Sequence, residues 1–303
     1  MINLRYHIVS LTAVFLALGL GILAGTTVID QNVVSGLRSN TNQLENRLNA
    51  VKAERDGLQQ QLAIWGKFGQ AITPPLLAGK LPGRSIVLVA DKKVPGSLLD
   101  QVSQAIALAN ARRPTRIVLT DKWRFPGTAQ DDLARALGVQ VTTRDALIDE
   151  AAKQIAARLA GSSDPRAAGD PIRILTDARF IDVGDLPDGT HFPAANAMVV
   201  VVASGAKDQM PSQDTFFLPF VRALSSARIV AVAEPLTAVE SLAERVRGDR
   251  SLVRVVCSVD HVDSVAGRLS LIYALRDLGA GRPARHYGLR GGATAVAPDL
   301  GAA

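Results

Sequence analysis

The sequence predicts an α/β domain built on a mostly parallel sheet flanked by helices, carried behind one transmembrane helix and a coiled-coil helix. Three observations predict it. Ile8 to Ile29 runs without a formal charge, leucines recur at seven-residue spacing from Leu37, and from Ser85 onward short apolar runs alternate with longer amphipathic ones. Each marks a different environment: lipid, another helix, and a sheet buried on both faces.

The first element is the anchor, residues 1–30. At about 1.5 Å per residue the uncharged run reaches across roughly 30 Å of hydrocarbon. It is longer than the 7 to 15 residues usual in a cleaved signal, and its small residues Gly19, Gly21, Ala24 and Gly25 lie inside it, so an uncleaved anchor is expected. The lipid bilayer is thus the predicted partner of residues 8–29. Arg5 before the span and Asp30 after it favour a cytosolic N-terminus and an exported bulk. No cysteine stands near the span to carry a lipid.

The second element, residues 31–68, is read as a stalk. Leu37, Leu44, Val51, Leu58 and Trp65 recur every seven residues, with Thr41, Leu48, Arg55 and Leu62 in the companion positions. Leu37, Leu44, Leu48, Val51, Leu58, Leu62 and Trp65 are therefore the expected seam for a coiled-coil partner protein or a homo-oligomer. Arg47 would face Lys52 in a parallel homodimer, which leaves a different partner or another register open. A continuous helix here would reach about 50 Å from the bilayer. Residues 69–84, with Pro74, Pro75, Gly79, Pro82 and Gly83, read as a linker.

The third element is the globular domain, residues 85–278. Ile86 to Ala90, Arg116 to Thr120, Met198 to Ala203, Ile229 to Ala233 and Leu252 to Cys257 read as strands. Gly96 to Arg112, Asp131 to Leu137, Arg144 to Leu159, Asp214 to Leu224, Leu236 to Arg247 and Val262 to Leu278 read as helices between them. Strands this uniformly apolar, separated by helices, fit a Rossmann-like or flavodoxin-like sheet. Ser162 to Pro171 and Asp182 to Pro193 read as a surface excursion, and residues 279–303 as a flexible tail with Arg282, Arg285, His286, Tyr287 and Arg290 in a small basic cluster.

Composition narrows the function. The 303 residues carry 48% apolar and 20% charged side chains, a net charge of +6 and only 4% aromatics. The arginines are scattered rather than run together, so nucleic-acid binding is not expected. One cysteine, Cys257, excludes an intramolecular disulfide and any multi-cysteine metal site.

Chemistry is sparse. In an open α/β sheet a ligand sits at the carboxyl ends of the strands, where Asp91, Asp121, Ser204, Glu234 and Asp260 fall. No Walker-type loop, GxSxG elbow or HExxH occurs, and the histidines His7, His191, His261 and His286 are far apart. The expectation is a protein without catalytic residues or a bound cofactor. Cys257 and His261, four residues apart near a strand end, with Met198 and Met210 nearby, are the candidates for a soft metal such as Cu(I).

The block MINLRYHIVSLTAVFLALGLGILAGTTVID, the heptads behind it, the α/β pattern and the His286-Tyr287-Gly288 run together resemble the mycobacterial copper transporter MctB family, with the corynebacterial SteB proteins as relatives. The resemblance implies an actinobacterial cell-envelope protein with a role in copper efflux or resistance, placed by that family's description in the outer membrane. The SteB likeness implies instead a non-enzymatic regulator binding a membrane partner that controls peptidoglycan hydrolysis and cell separation. No family motif transfers metal ligands to numbered residues here. The residues themselves argue against a barrel, because the apolar β runs are about half the length that crosses a membrane and alternate with helices. The span holds no charge, His, Cys or Met between Ile8 and Ile29, so it offers no polar ion path.

Overall fold

The computed structural model describes residues 4–140, 143–161, 169–184 and 197–300. His191 and most of the Asp182 to Pro193 stretch lie outside the described residues. The chain divides into two compact units, Met1–Gly66 and Lys67–Ala303.

The first unit is helical. Helix α1 begins at Leu4 and runs to Leu77, and its Arg5–Gly25 portion, with a mean hydropathy of 2.3, is the one helix among the described residues long and apolar enough to cross a membrane. Thr12 Oγ1 donates to the Ile8 carbonyl and Thr41 Oγ1 to that of Leu37, so both hydroxyls are satisfied inside the helix. Leu37, Leu44, Leu48, Val51, Leu58, Leu62 and Trp65 all lie on α1 and are 52–70% exposed.

The second unit begins with the last turns of α1. A break was expected from the prolines, yet the helix continues through Pro74 and Pro75 to Leu77. Both prolines remove a donor to the preceding turn, and the helix carries on for only about one turn from Pro74 before Gly79 ends it with a φ of +72° that suits glycine. Leu77 and Leu81 are buried, and the Leu81 and Gly83 amides donate to the carbonyls of Ala109 and Asn110. Residues 69–84 therefore pack onto the globular unit through Leu77 and Leu81 rather than forming a linker.

Behind this entry lie β1 (Ile86–Asp91), α2 (Gly96–Leu108), β2 (Thr115–Leu119), α3 (Ala129–Leu137), α4 (Arg144–Ala160), α5 (Pro171–Asp177), β3 (Ile181–Gly184) and β4 (Met198–Val202). The chain continues with α6 (Leu218–Ser225), β5 (Val230–Ala233), α7 (Leu242–Gly248), β6 (Val256–Val259), α8 (Val265–Gly279) and β7 (His286–Tyr287). A single 3-10 turn covers Asp121–Arg124, and a wider π turn at Gln213–Phe217 leads into α6.

The sheet has the order β3-β2-β1-β4-β5-β6-β7. Only β3 runs antiparallel to its neighbour; the other described pairs are parallel. Strand alternation explains the continuous apolar runs. Val87, Val89, Val199 and Val201 enter one core, while Ile86, Leu88, Ala90, Met198, Val200 and Val202 enter the other. Each fully buried aliphatic side chain contributes about 1.5–3 kcal/mol, which fixes the central strands most firmly. Trp123 closes the β2 side, its ring edge-on to Phe180 at 5.2 Å and Phe216 at 5.4 Å, with Nε1 donating to the Phe180 carbonyl.

Three expectations change. Asp182 to Gly184, read as the start of an excursion, belong to the edge strand β3. Residues 279–303, read as a flexible tail, supply β7 and pack His286 and Tyr287 into the fold. Strand β6 starts at Val256 instead of Leu252, because Asp249 accepts from the Ser251 amide and hydroxyl and folds the preceding residues into turns.

Candidate functional site

The chain leaves β1 toward β2 on one side and leaves β4 toward β5 on the other, so the carboxyl ends of these neighbours form the switch point where open α/β sheets bind ligands. A cleft of about 620 Å³ opens there. Lys93, Pro95, Ser97 and Leu98 line it from the β1–α2 connection, and Ser204, Lys207 and Asp208 from the segment after β4, with Pro235, Thr237 and Asp263 on the β5 side. Lys93 Nζ lies 3.0 Å from Asp208 Oδ2, an exposed pair.

The acids that sequence placed at the strand ends do not face this cleft as open ligands. Asp91 is fully buried; its Oδ1 accepts from the Lys93 amide at 2.8 Å and its Oδ2 from the Ser204 amide at 2.6 Å. It ties β1 to β4 across the switch point. Burial pushes its carboxyl above the usual range, and the two amides pull it back.

Glu234, also fully buried, accepts from the Ser241 hydroxyl and from the Leu242 and Ala243 amides, so it occupies the N-terminus of α7 where an anion would otherwise sit. Burial raises its pKa too. Asp260 accepts from Arg247 Nη1 at 2.7 Å and from the Leu289 and Arg290 amides. Burial opposes its ionisation, but these donors hold it below the usual carboxylate range. Asp121, by contrast, is exposed beside Arg124 at 3.9 Å.

The two metal candidates occupy different surroundings. Cys257 sits inside β6 and faces α8; its Sγ donates to the Ala274 carbonyl at 3.6 Å and accepts from the Arg285 amide at 3.4 Å. Burial pushes the thiol up to about 11. His261 lies two residues beyond β6, also buried, with Nδ1 3.7 Å from Asp260 Oδ1 and no hydrogen bond to either ring nitrogen. Burial lowers its pKa and leaves it neutral near pH 7. Met198 starts β4 at the opposite end of the sheet. Among the described residues no three His, Cys, Asp or Glu side chains gather in a metal-binding group.

The basic cluster at residues 282–290 is also dispersed. His286 is buried against Ser258 and Val253, whereas Arg290 reaches the carbonyls of Leu236 and Ala238 beside Glu234. Sequence reading missed the buried network of Arg247, Ser258 and His286. No spacing in the chain marks it, because its members come from α7, β6 and β7.

Comparison with known proteins adds the family. A family model described as copper transport outer membrane protein, MctB, matches residues 1–298. The copper transporter MctB of Mycobacterium tuberculosis H37Rv is 26% identical over 313 residues, covering 98% of this chain and 99% of the relative, and that of Mycobacterium bovis matches equally. The copper transporter MctB of Mycobacterium leprae is 24% identical over 316 residues, with the same coverage. The apolar N-terminal helix, the heptad-bearing segment and the α/β domain are thus all spanned by one family model, and the chain belongs to the MctB family.

Proposed function

We propose that the protein is a single-span cell-envelope protein acting in copper efflux or resistance, with its N-terminus cytosolic and its α/β domain exported. The observation that carries this reading is the family match across residues 1–298, reinforced by relatives named as copper transporters that align end to end. Its own residues set the terms. The candidate span carries no ionisable group from Ile8 to Gly25, and the thiol and imidazole candidates are sealed in the domain. Copper movement would therefore depend on assembly of several spans or on a partner, with the α/β domain as a non-catalytic binding or scaffold element. In the native host, loss of the protein should raise cell copper under copper load and slow growth, and the full chain should restore both while a chain lacking residues 1–30 should not. Unchanged copper content in the deletion strain would refute the reading.

A second reading rests on the exposed heptad stripe of α1: seven large apolar side chains at a and d positions, at least half exposed, call for another helix. The partner is a coiled-coil protein or a second copy of this chain.

A further inference from the structure

We propose that the C-terminal strap, residues 281–300, is a latch on the free edge of β6 that opens when His286 takes up a proton. The backbone alone holds it weakly. Strand β7 is two residues long, and its pairing with β6 supplies the Ser258 amide to the Arg285 carbonyl at 3.1 Å and the Asp260 amide to the Tyr287 carbonyl at 3.3 Å. Side chains do the rest. Arg247 Nη2 donates to the Tyr287 carbonyl at 2.9 Å, and Asp260 takes the Leu289 and Arg290 amides. Gly288 lets the strap pass this close: its φ is +152°, and a Cβ there would lie 2.1 Å from the Asp260 carboxylate.

The wiring of His286 fixes its tautomer. Nε2 lies 2.8 Å from the Val253 carbonyl, an acceptor only, so Nε2 must carry the hydrogen. Nδ1 lies 2.9 Å from Ser258 Oγ and must then accept from that hydroxyl. Ser258 Oγ in turn accepts from Arg247 Nε at 2.8 Å. The chain of donors runs Arg247 to Ser258 to His286 to Val253 with every hydrogen used. A proton on Nδ1 would turn the Ser258 hydroxyl hydrogen away from this acceptor and leave Oγ accepting from two cations at once. It would also place a second cation one hydroxyl away from Arg247.

The groups around the ring can be named. Ser258 comes from β6, the Val253 carbonyl from the turn before it and Arg247 from α7; within the strap, the Thr294 amide and hydroxyl donate to the His286 carbonyl. The nearest acid in this network, Asp260, is engaged by Arg247, and His261 stands beside it. The buried site therefore favours neutral imidazole over an imidazolium one hydroxyl away from the Arg247 guanidinium. Burial and the Arg247 charge both hold the histidine below its ordinary value, in the same direction. A released, solvated imidazole titrates near pH 6.5, so the open form gains about tenfold over the closed form on going from pH 7.5 to 5.5.

The chain reports on its own latch. Cys257 is the only thiol, and the Arg285 backbone covers its sulfur. Maleimide labelling of the full chain in detergent micelles, divided at each pH by the rate for the urea-unfolded chain, gives a protection factor. Protection should fall about tenfold between pH 7.5 and 5.5. His286→Gln keeps a donor for Val253 and an acceptor for Ser258, and should hold protection constant across that range. Thr294→Val should lower protection equally at both pH values, and His261→Gln should leave the dependence intact. Three results would overturn the latch: wild-type protection that does not change with pH, dependence that vanishes in His261→Gln, or protection equal at both pH values to the global unfolding constant from urea titration. Should His286→Gln fail to fold, the wild-type and His261→Gln profiles still decide the matter.

Discussion

The two units of this chain use apolar side chains in opposite ways. In Met1–Gly66 the leucines and valines of α1 stand exposed along one helix, whereas in Lys67–Ala303 those of β1, β4 and β5 are buried on both sheet faces. The second unit completes its burial from its own sequence. The first leaves them uncovered, and the function proposed above assigns lipid to Arg5–Gly25 and another helix to the heptad stripe. Similar residue types are thus buried in one region and exposed in the other, and the difference can be tested at each end.

The largest effect is expected where the globular unit buries charge. Asp260 and Arg247 have side chains no more than 2% exposed, and the acid also holds two strap amides. Asp260→Ala strands the guanidinium and both amides, and should cost about 3–5 kcal/mol in urea unfolding of the domain. A loss under about 1 kcal/mol would mean that the pair is solvated and that burial in this unit is incomplete.

A smaller effect should come from acid. Burial lowers the pKa of both His261 and His286, so below about pH 6.5 the unfolded chain binds protons that the fold refuses. Stability should therefore be full above that pH and decline as the solution is acidified toward the folded values. Asp91 and Glu234 act with the opposite sign. Their raised values favour the fold at low pH, a contribution lost as pH rises through the folded pKa. Urea midpoints at pH 7.5 and 5.5, compared with a His261→Gln, His286→Gln double variant, separate the two. A midpoint that rises on acidification in the parent and is unchanged in the variant would reverse the assignment.

What could be read in advance follows the same physics. The central strands declare themselves because burial on both faces demands unbroken apolar runs, as at Met198 to Val202. Edge strands do not. β3 exposes Asp182 and spans four residues, and β7 is a histidine and a tyrosine, so neither carries a periodic signal. Pro74 and Pro75 suggested a break, and the helix does end within about one turn of them, at Leu77, but sequence does not show that this last turn packs on the globular unit. The strand-end acids were located correctly, but their roles were not visible. Whether Asp91 or Glu234 meets a ligand or a backbone amide depends on loops 113 and 8 residues away, at Ser204 and Leu242.

The smallest effect on the globular unit, and the one that tests the comparison most directly, belongs to the stripe. Leu44, Leu48 and Val51 are 69%, 52% and 62% exposed, and all lie in Met1–Gly66, so the globular core loses no contact when they become polar. Leu44→Ser, Leu48→Ser and Val51→Ser together should leave the urea midpoint of the α/β domain within about 0.5 kcal/mol of the parent. The same triple change removes the seam at three successive layers and should abolish any association of the full chain, read by cross-linking in native membranes. Serine keeps the helix close to its original propensity, so lost association would report the lost seam rather than a melted stalk. Association that survives intact would show that the stripe faces no protein, and the dependence assigned to the first unit would then rest on the lipid-facing span alone.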